Sequence, residues 1–99
     1  MTYSVEVRRS AELDIAEAQI RYEELRDGLG DEFVLEVDRV LQRLSESPLI
    51  HQVVYAGARK AQLKRFPYLA WYRVVGQVVQ VLAVTDGRED PQRAQGRLS

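Results

Sequence analysis

Apolar residues recur along this chain with two periods, and the period changes where the element type should change. Tyr3, Val5 and Val7 alternate with Ser4, Glu6 and Arg8, the pattern of a half-buried strand. From Ser10 the spacing becomes helical. Ala11, Ile15, Ala18, Tyr22 and Leu25 fall on one arc, and Leu13, Ala16 and Ile20 form a weaker second stripe. Ser10 is an N-cap residue type, and Glu12 and Asp14 place negative charge in the first turn, where the helix dipole favours it. Gly28-Leu29-Gly30 interrupts this helix, and a second is predicted from near Asp31, with Phe33, Val37, Val40, Leu41 and Leu44 on its apolar face. Ser47-Pro48 ends it, because proline disfavours helical geometry in the residue before it. A short glycine link joins antiparallel helices, so residues 10–46 are predicted to form a helical hairpin.

Strand patterning returns after a loop around His51. A strand or pair of short strands is predicted over Val53 to Arg65, then strands over Tyr68 to Val75 and Val78 to Thr85. Gly76-Gln77 is a two-residue link suited to a type II′ hairpin turn. That turn would pair Val75 with Val78, Arg73 with Gln80, Trp71 with Leu82 and Leu69 with Val84, all on one face. The other face carries Tyr68, Ala70, Tyr72, Val74, Val79, Val81 and Ala83, the more continuous apolar set, and is expected to pack on the helices. Leu69, Trp71, Leu82 and Val84 are then left on the far face, interrupted by Arg73 and Gln80. Such a patch is expected to meet a partner; in the alternative, Trp71 packs under the Val53 to Lys64 region or the C-terminal segment. Asp86-Gly87 signals a turn that sets Arg88 beside the end of the last strand. Asp90-Pro91 starts a short helix through Gln92 to Gln95, ending near Gly96. The fold class is α+β: an N-terminal strand, a helical hairpin, then an antiparallel sheet with a short terminal helix.

The 99 residues suit one domain, 1–99, with one modest core. The absence of cysteine removes disulfides, thiol catalysis and thiolate metal sites, and is compatible with a reducing cytoplasm, the expected location. The start of the chain alternates like a strand and does not read as a signal peptide. No apolar run approaches the roughly 20 residues of a membrane span. The net charge of −1 conceals a division: residues 1–46 hold twelve acids and six arginines, residues 47–99 three acids and eight Lys/Arg. Between Ser47 and Thr85 there is no acid, while Arg59, Lys60, Lys64, Arg65 and Arg73 fall there, so an anionic partner would meet a positive field. Neutralisation of the two halves within one fold is the alternative.

Little in the chain points to catalysis. The single histidine, His51, sits in a loop with no serine or cysteine nucleophile pattern around it and is expected at the solvent-exposed surface. Glu12, Asp14, Glu17, Glu23, Glu24, Glu32, Glu36 and Asp38 occupy positions expected on helix surfaces, where solvation explains them without a metal. Gly28 and Gly30 lack the spacing and preceding strand of a phosphate-binding loop. No metal or cofactor is expected.

The segments Gly28-Leu29-Gly30, Leu63-Lys64-Arg65-Phe66-Pro67-Tyr68, Tyr72-Arg73-Val74 and Val81-Leu82-Ala83-Val84, in this order and spacing, resemble the RelE/ParE superfamily of bacterial toxins over nearly the whole chain. The resemblance implies the toxin of a type II toxin-antitoxin system, neutralised by a cognate antitoxin whose extended C-terminal segment wraps the sheet and helices; a hetero-oligomer with the antitoxin follows, and contact with DNA only through it. On this reading Leu69, Trp71 and Leu82 dock the antitoxin, with Arg59, Lys64, Arg65 and Arg73 available to its acids. RelE-type members cut messenger RNA on the ribosome with basic and tyrosine side chains; a nuclease here would use Lys64, Arg65 and Arg88. Leu69 occupies a position where those nucleases place an arginine, and no tyrosine follows Arg88. ParE-type members poison DNA gyrase through a protein contact that requires no catalytic group, and the chain fits that branch better, with Arg88, Arg93 and Arg97 as target contacts. Many members carry histidine and a second arginine in the segment occupied here by Asp86 and Glu89, so these acids weaken phosphate binding at that end. From a different class, a nucleic-acid-binding adaptor would use the basic sheet with Trp71 and Tyr72 as stacking groups.

Overall fold

In the computed structural model, which describes residues 2–98, the chain runs β1 (Ser4–Val7), α1 (Arg9–Leu25), α2 (Leu29–Glu46), a short 3₁₀ turn (Pro48–Ile50), β2 (Val53–Tyr55), β3 (Ala58–Gln62), β4 (Tyr68–Val75), β5 (Val78–Asp86) and α3 (Pro91–Gly96). The sheet order is β1-β5-β4-β3-β2. β1 pairs with β5 in parallel, and the other neighbours are antiparallel. The α+β architecture and the helical hairpin follow the apolar periods closely, and β4 matches its expected bounds. No helix among the described residues is long and apolar enough to cross a membrane.

The two glycines of the interhelical link do different work. Gly28 caps α2 at φ 88°, a left-handed conformation that costs a side-chain-bearing residue energy. Gly30 lies where the helices touch: a Cβ there would stand 2.5 Å from the Gln19 carbonyl oxygen. Both backbone N–H groups donate to the Glu23 carboxylate, at 2.8 and 3.0 Å, so an acid of α1 satisfies the exposed donors at the start of α2. α2 consequently begins at Leu29, two residues before the expected start. α1 begins at Arg9 with Arg8 at its cap and no capping side chain. Ser10 lies inside the helix, and its hydroxyl donates to the Leu82 carbonyl instead.

The helices bury Ala11, Ala18, Phe33, Val37, Val40 and Leu44 against Tyr68, Ala70, Tyr72, Val79 and Val81 of the sheet. Tyr22, Phe33, Phe66 and Tyr68 form an aromatic knot with centroid separations of 4.9 Å for Tyr22–Phe66 and 5.1 Å for Phe33–Tyr68. Edge-to-face pairs of this kind contribute about 0.5–1.5 kcal/mol beyond their buried area. The weaker stripe of α1 is exposed, with Leu13 and Ile20 facing solvent.

Register departs from expectation halfway along the β4–β5 hairpin. Gly76 has φ 59° while Gln77 does not enter the left-handed region, as a type II′ turn requires, and Val75↔Val78 and Arg73↔Gln80 pair as expected. Beyond Tyr72↔Val81, however, Trp71 pairs with Ala83, Ala70 with Val84 and Leu69 with Thr85. Leu82 is the extra residue of a β-bulge, and one extra residue inverts the alternation that follows it. Ala83 therefore faces away from the helices and Val84 faces them, the reverse of the expected assignment.

The far face of the sheet is not bare. Trp71, Leu82 and Ala83 pack with Ala58, Ala94 and Leu98, with Leu69 at the margin. Trp71 is 2% exposed and Leu82 5%. The C-terminal segment covers them, so the expected apolar docking patch is an intramolecular core. The reason is local: the Asp90 side chain accepts from the Gln92 N–H and Pro91 occupies the first helical position, which turns α3 back across the sheet.

Candidate functional site

The basic segment does not make one patch. Alternation along β3 and the turn after it sends its cations to different places. Arg59 is half-buried and donates to the His51 carbonyl. His51 itself is only half exposed, its ring edge-on to Tyr72. Lys60 lies over the Trp71 indole, 5.7 Å from its centroid, within cation–π range. Arg73 donates to the Ala56 carbonyl at 3.1 Å and to the Leu98 carbonyl, pinning the β2–β3 turn and the C-terminus. Lys64 and Arg65 project from the β3–β4 turn on the helix side. Arg65, at φ 71°, pairs with Glu32 at 2.6 Å. Arg65 and then Arg26 hold the Glu32 carboxyl below the usual carboxylate range.

Two acids expected on solvated helix surfaces are structural anchors. Glu36 is 3% exposed; one carboxylate oxygen accepts from the Lys64 backbone N–H at 3.0 Å and the other pairs with Arg39 at 3.1 Å. Asp14 accepts from the Val84 N–H at 2.8 Å and pairs with Arg97 at 2.9 Å. A signal for both was present: Glu36 shares the arc of Phe33, Val37 and Val40, and Asp14 that of Ala11, Ile15 and Ala18. A charge within an apolar arc needs a partner once buried.

α1, the end of β5 and α3 enclose the principal cleft, of about 480 Å³. It gathers Arg93 and Arg97, two of the expected target contacts, with Arg21, Tyr68, Asp14, Glu17, Asp86 and Glu89. No local pattern in the sequence marks Arg21. It donates to the Tyr68 hydroxyl at 2.5 Å, and this hydrogen bond is the main reason its pKa is raised. Arg88 lies on the other side of Asp86, in an adjoining cleft with Arg21, Tyr22 and Tyr68. Its backbone N–H, Nε and Nη2 all donate to the Asp86 carboxylate, at 2.9, 3.0 and 2.8 Å. The pairing holds the Asp86 carboxyl below its ordinary value and raises Arg88. Leu69 reaches toward Gly87 beneath this turn.

The cleft therefore presents alternating charge, with four carboxylates beside three arginines and the fourth, Arg88, occupied by Asp86. A surface of this kind complements a protein with charges of both signs better than the uniform negative charge of a nucleic-acid backbone. The stacking groups required of a nucleic-acid adaptor are absent from the surface: Trp71 donates its indole N–H to the Thr85 hydroxyl at 2.9 Å, and Tyr72 its phenol to the Pro48 carbonyl at 2.6 Å, both buried.

No protein-family model matches the chain. Its sequence is 28% identical over 100 residues to Toxin ParE2 of Mycobacterium tuberculosis, covering all of this chain and 95% of that one. Its fold matches the chromosomal ParDE toxin-antitoxin system from P. aeruginosa with a TM-score of 0.78 at 21% identity, covering 86% of this chain and 96% of that one. The toxin-antitoxin complex RelBE2 of Mycobacterium tuberculosis matches with a TM-score of 0.63 at 22% identity, covering 87% of this chain and 99% of that one. The sequence is thus similar from end to end to Toxin ParE2, and its arrangement of strand, helical hairpin and sheet is the fold of the ParDE and RelBE2 structures.

Proposed function

We propose that the protein is the toxin of a type II toxin-antitoxin system, of the ParE kind, arresting growth through a protein contact with DNA gyrase and held inactive by a cognate antitoxin. Full-length likeness to Toxin ParE2 supports the toxin reading. The observation that carries the choice of mechanism is the Asp86–Arg88 clasp. Stabilising a scissile phosphate needs a cation aimed at the developing charge, and Arg88 turns its Nε and Nη2 toward a neighbouring carboxylate that offsets its charge. Leu69 supplies no charge in its place, and Glu17 and Glu89 in the adjoining cleft oppose an approaching phosphate. Arg93 and Arg97, with Arg21 behind them, are the proposed target contacts. Lys64 and Arg65 are the exposed cations proposed to meet the antitoxin.

The test expresses the chain without an antitoxin and measures messenger cleavage on ribosomes beside supercoiling by purified gyrase. We expect growth arrest with inhibited supercoiling and intact messengers, and relief of both effects by Arg93→Glu with Arg97→Glu. Codon-linked cleavage with unaffected supercoiling would instead establish a RelE-like nuclease using Lys64, Arg65 and Arg88.

A further inference from the structure

A second pocket, of about 310 Å³, opens between the C-terminal half of α2 and β3. Val40 and Leu44 from α2 and Ala61 from β3 form its floor, all buried, and the small side chain at Ala61 leaves the room. Ile50, 69% exposed, stands at its rim beside Leu49, 57% exposed. Arg43 and Lys64 flank the mouth. The Glu36 carboxylate fixes the Lys64 backbone and leaves its side chain outward. Neither Arg43 nor Lys64 forms an ion pair among the described residues. The nearby carboxylates are already engaged, Glu36 by Arg39 and the Lys64 N–H, Glu46 by Gln42.

We propose that this pocket receives one apolar side chain of the neutralising antitoxin segment, with carboxylates on either side of it meeting Arg43 and Lys64. The proposal rests on the toxin reading for the identity of the partner. The volume, at the lower end of the roughly 300–1,000 Å³ of ligand pockets, suits a single leucine-sized group with its backbone outside. The apolar floor gives a phosphate nothing to bind, while the two unpaired cations select against a neutral or basic segment. An acidic peptide with one central apolar residue satisfies both.

The probe is an acetylated, amidated seven-residue peptide with one leucine between pairs of glutamates, titrated into isotopically labelled protein and followed by amide chemical shifts. Shifts confined to Val40, Leu44, Ile50, Ala61, Gln62 and Lys64 are expected. Replacing the peptide leucine by serine should weaken binding roughly tenfold through the lost apolar burial. The surface double variant Arg43→Glu/Lys64→Glu should weaken it roughly tenfold or more through charge reversal, with unchanged helix content as the control for folding. No binding at millimolar peptide, shifts elsewhere, or equal affinity for the serine peptide would overturn the proposal, as would decanoate occupying the pocket where the peptide does not. Growth arrest on expression without an antitoxin tests the toxin reading separately, so failure of one is distinguishable from failure of the other.

Discussion

Tyr72 shows how a single buried polar group ties the sheet to the loop beyond α2. Its hydroxyl donates to the Pro48 carbonyl at 2.6 Å, and burial pushes its pKa up to about 12. The folded state thus holds the neutral phenol where an unfolded chain ionises near pH 10. The stability this contributes is fully present below about pH 10 and is lost as pH rises toward about 12. Tyr72→Phe leaves the Pro48 carbonyl without its donor, and denaturant melts at neutral pH should show a loss of about 1–3 kcal/mol. Because the variant lacks the titrating group, the difference from wild type should shrink above about pH 10; a constant difference would mean the phenol is not what titrates. Glu36 makes the same point from a carboxylate. Glu36→Ala strips the Lys64 N–H of its acceptor, and amide hydrogen exchange at Lys64 should accelerate while Glu36→Gln, which keeps an acceptor oxygen, changes it far less. The anchoring roles of Glu36 and Asp14 were legible only as charges lying within apolar arcs. What they bind is set by residues 28 and 70 positions away, Lys64 and Val84, and local pattern does not name a partner at that distance.

Among the elements, β5 separates what local chemistry dictates from what the fold decides. Its bounds, its turn and the capped start of α3 rest on nearby residues, Gly76-Gln77 and Asp90-Pro91, and the sequence shows them well. The bulge at Leu82 does not, because Val81-Leu82-Ala83-Val84 is apolar on both faces and either register buries as much. The choice is made by α1. β1 ends at Val7, so the edge of β5 beyond Val81 has no strand beside it. Ser10 and Asp14 occupy that edge, Ser10 donating its hydroxyl to the Leu82 carbonyl and Asp14 accepting the Val84 N–H. The same bulge turns Leu82 and Ala83 under α3, which is why the patch expected to be open is closed. Asp14→Ala leaves the Val84 N–H without a partner and should cost about 1–3 kcal/mol. For a chain of this size that lowers the thermal midpoint by roughly 4–8 °C per kcal/mol. Asp14→Asn keeps an acceptor oxygen and should recover most of the loss; an equal loss in both variants would assign the stability to the Arg97 ion pair instead.

At the scale of the molecule, the sheet has a core on each face, and the two differ in how they are held. The helical hairpin lies over one face with two long apolar surfaces. The other is closed by six-residue α3 and the residues after it, through Ala94, Leu98, the Asp14–Arg97 pair and the Arg73 donor to the Leu98 carbonyl. The charge division of the sequence survives folding in part. The Arg65–Glu32 and Arg97–Asp14 pairs join the acidic first half to the basic second half, and the other three pairs among the described residues each stay within one half. The closing segment borders both the cleft of Arg93 and Arg97 and the single tryptophan. Trp71 reports on it directly, since its indole is 2% exposed beneath Leu98 and no other tryptophan contributes emission. Leu98→Ala should cost about 2 kcal/mol, the low end for a leucine truncated in a core, because a small cluster relaxes into the space more readily than a large packed layer. Emission should shift to longer wavelength as water reaches the indole, while the far-ultraviolet signal of α1 and α2 stays intact. Loss of that helical signal in step with the emission change would show that the two faces unfold as one unit and that the C-terminal segment has no separate stability to lose.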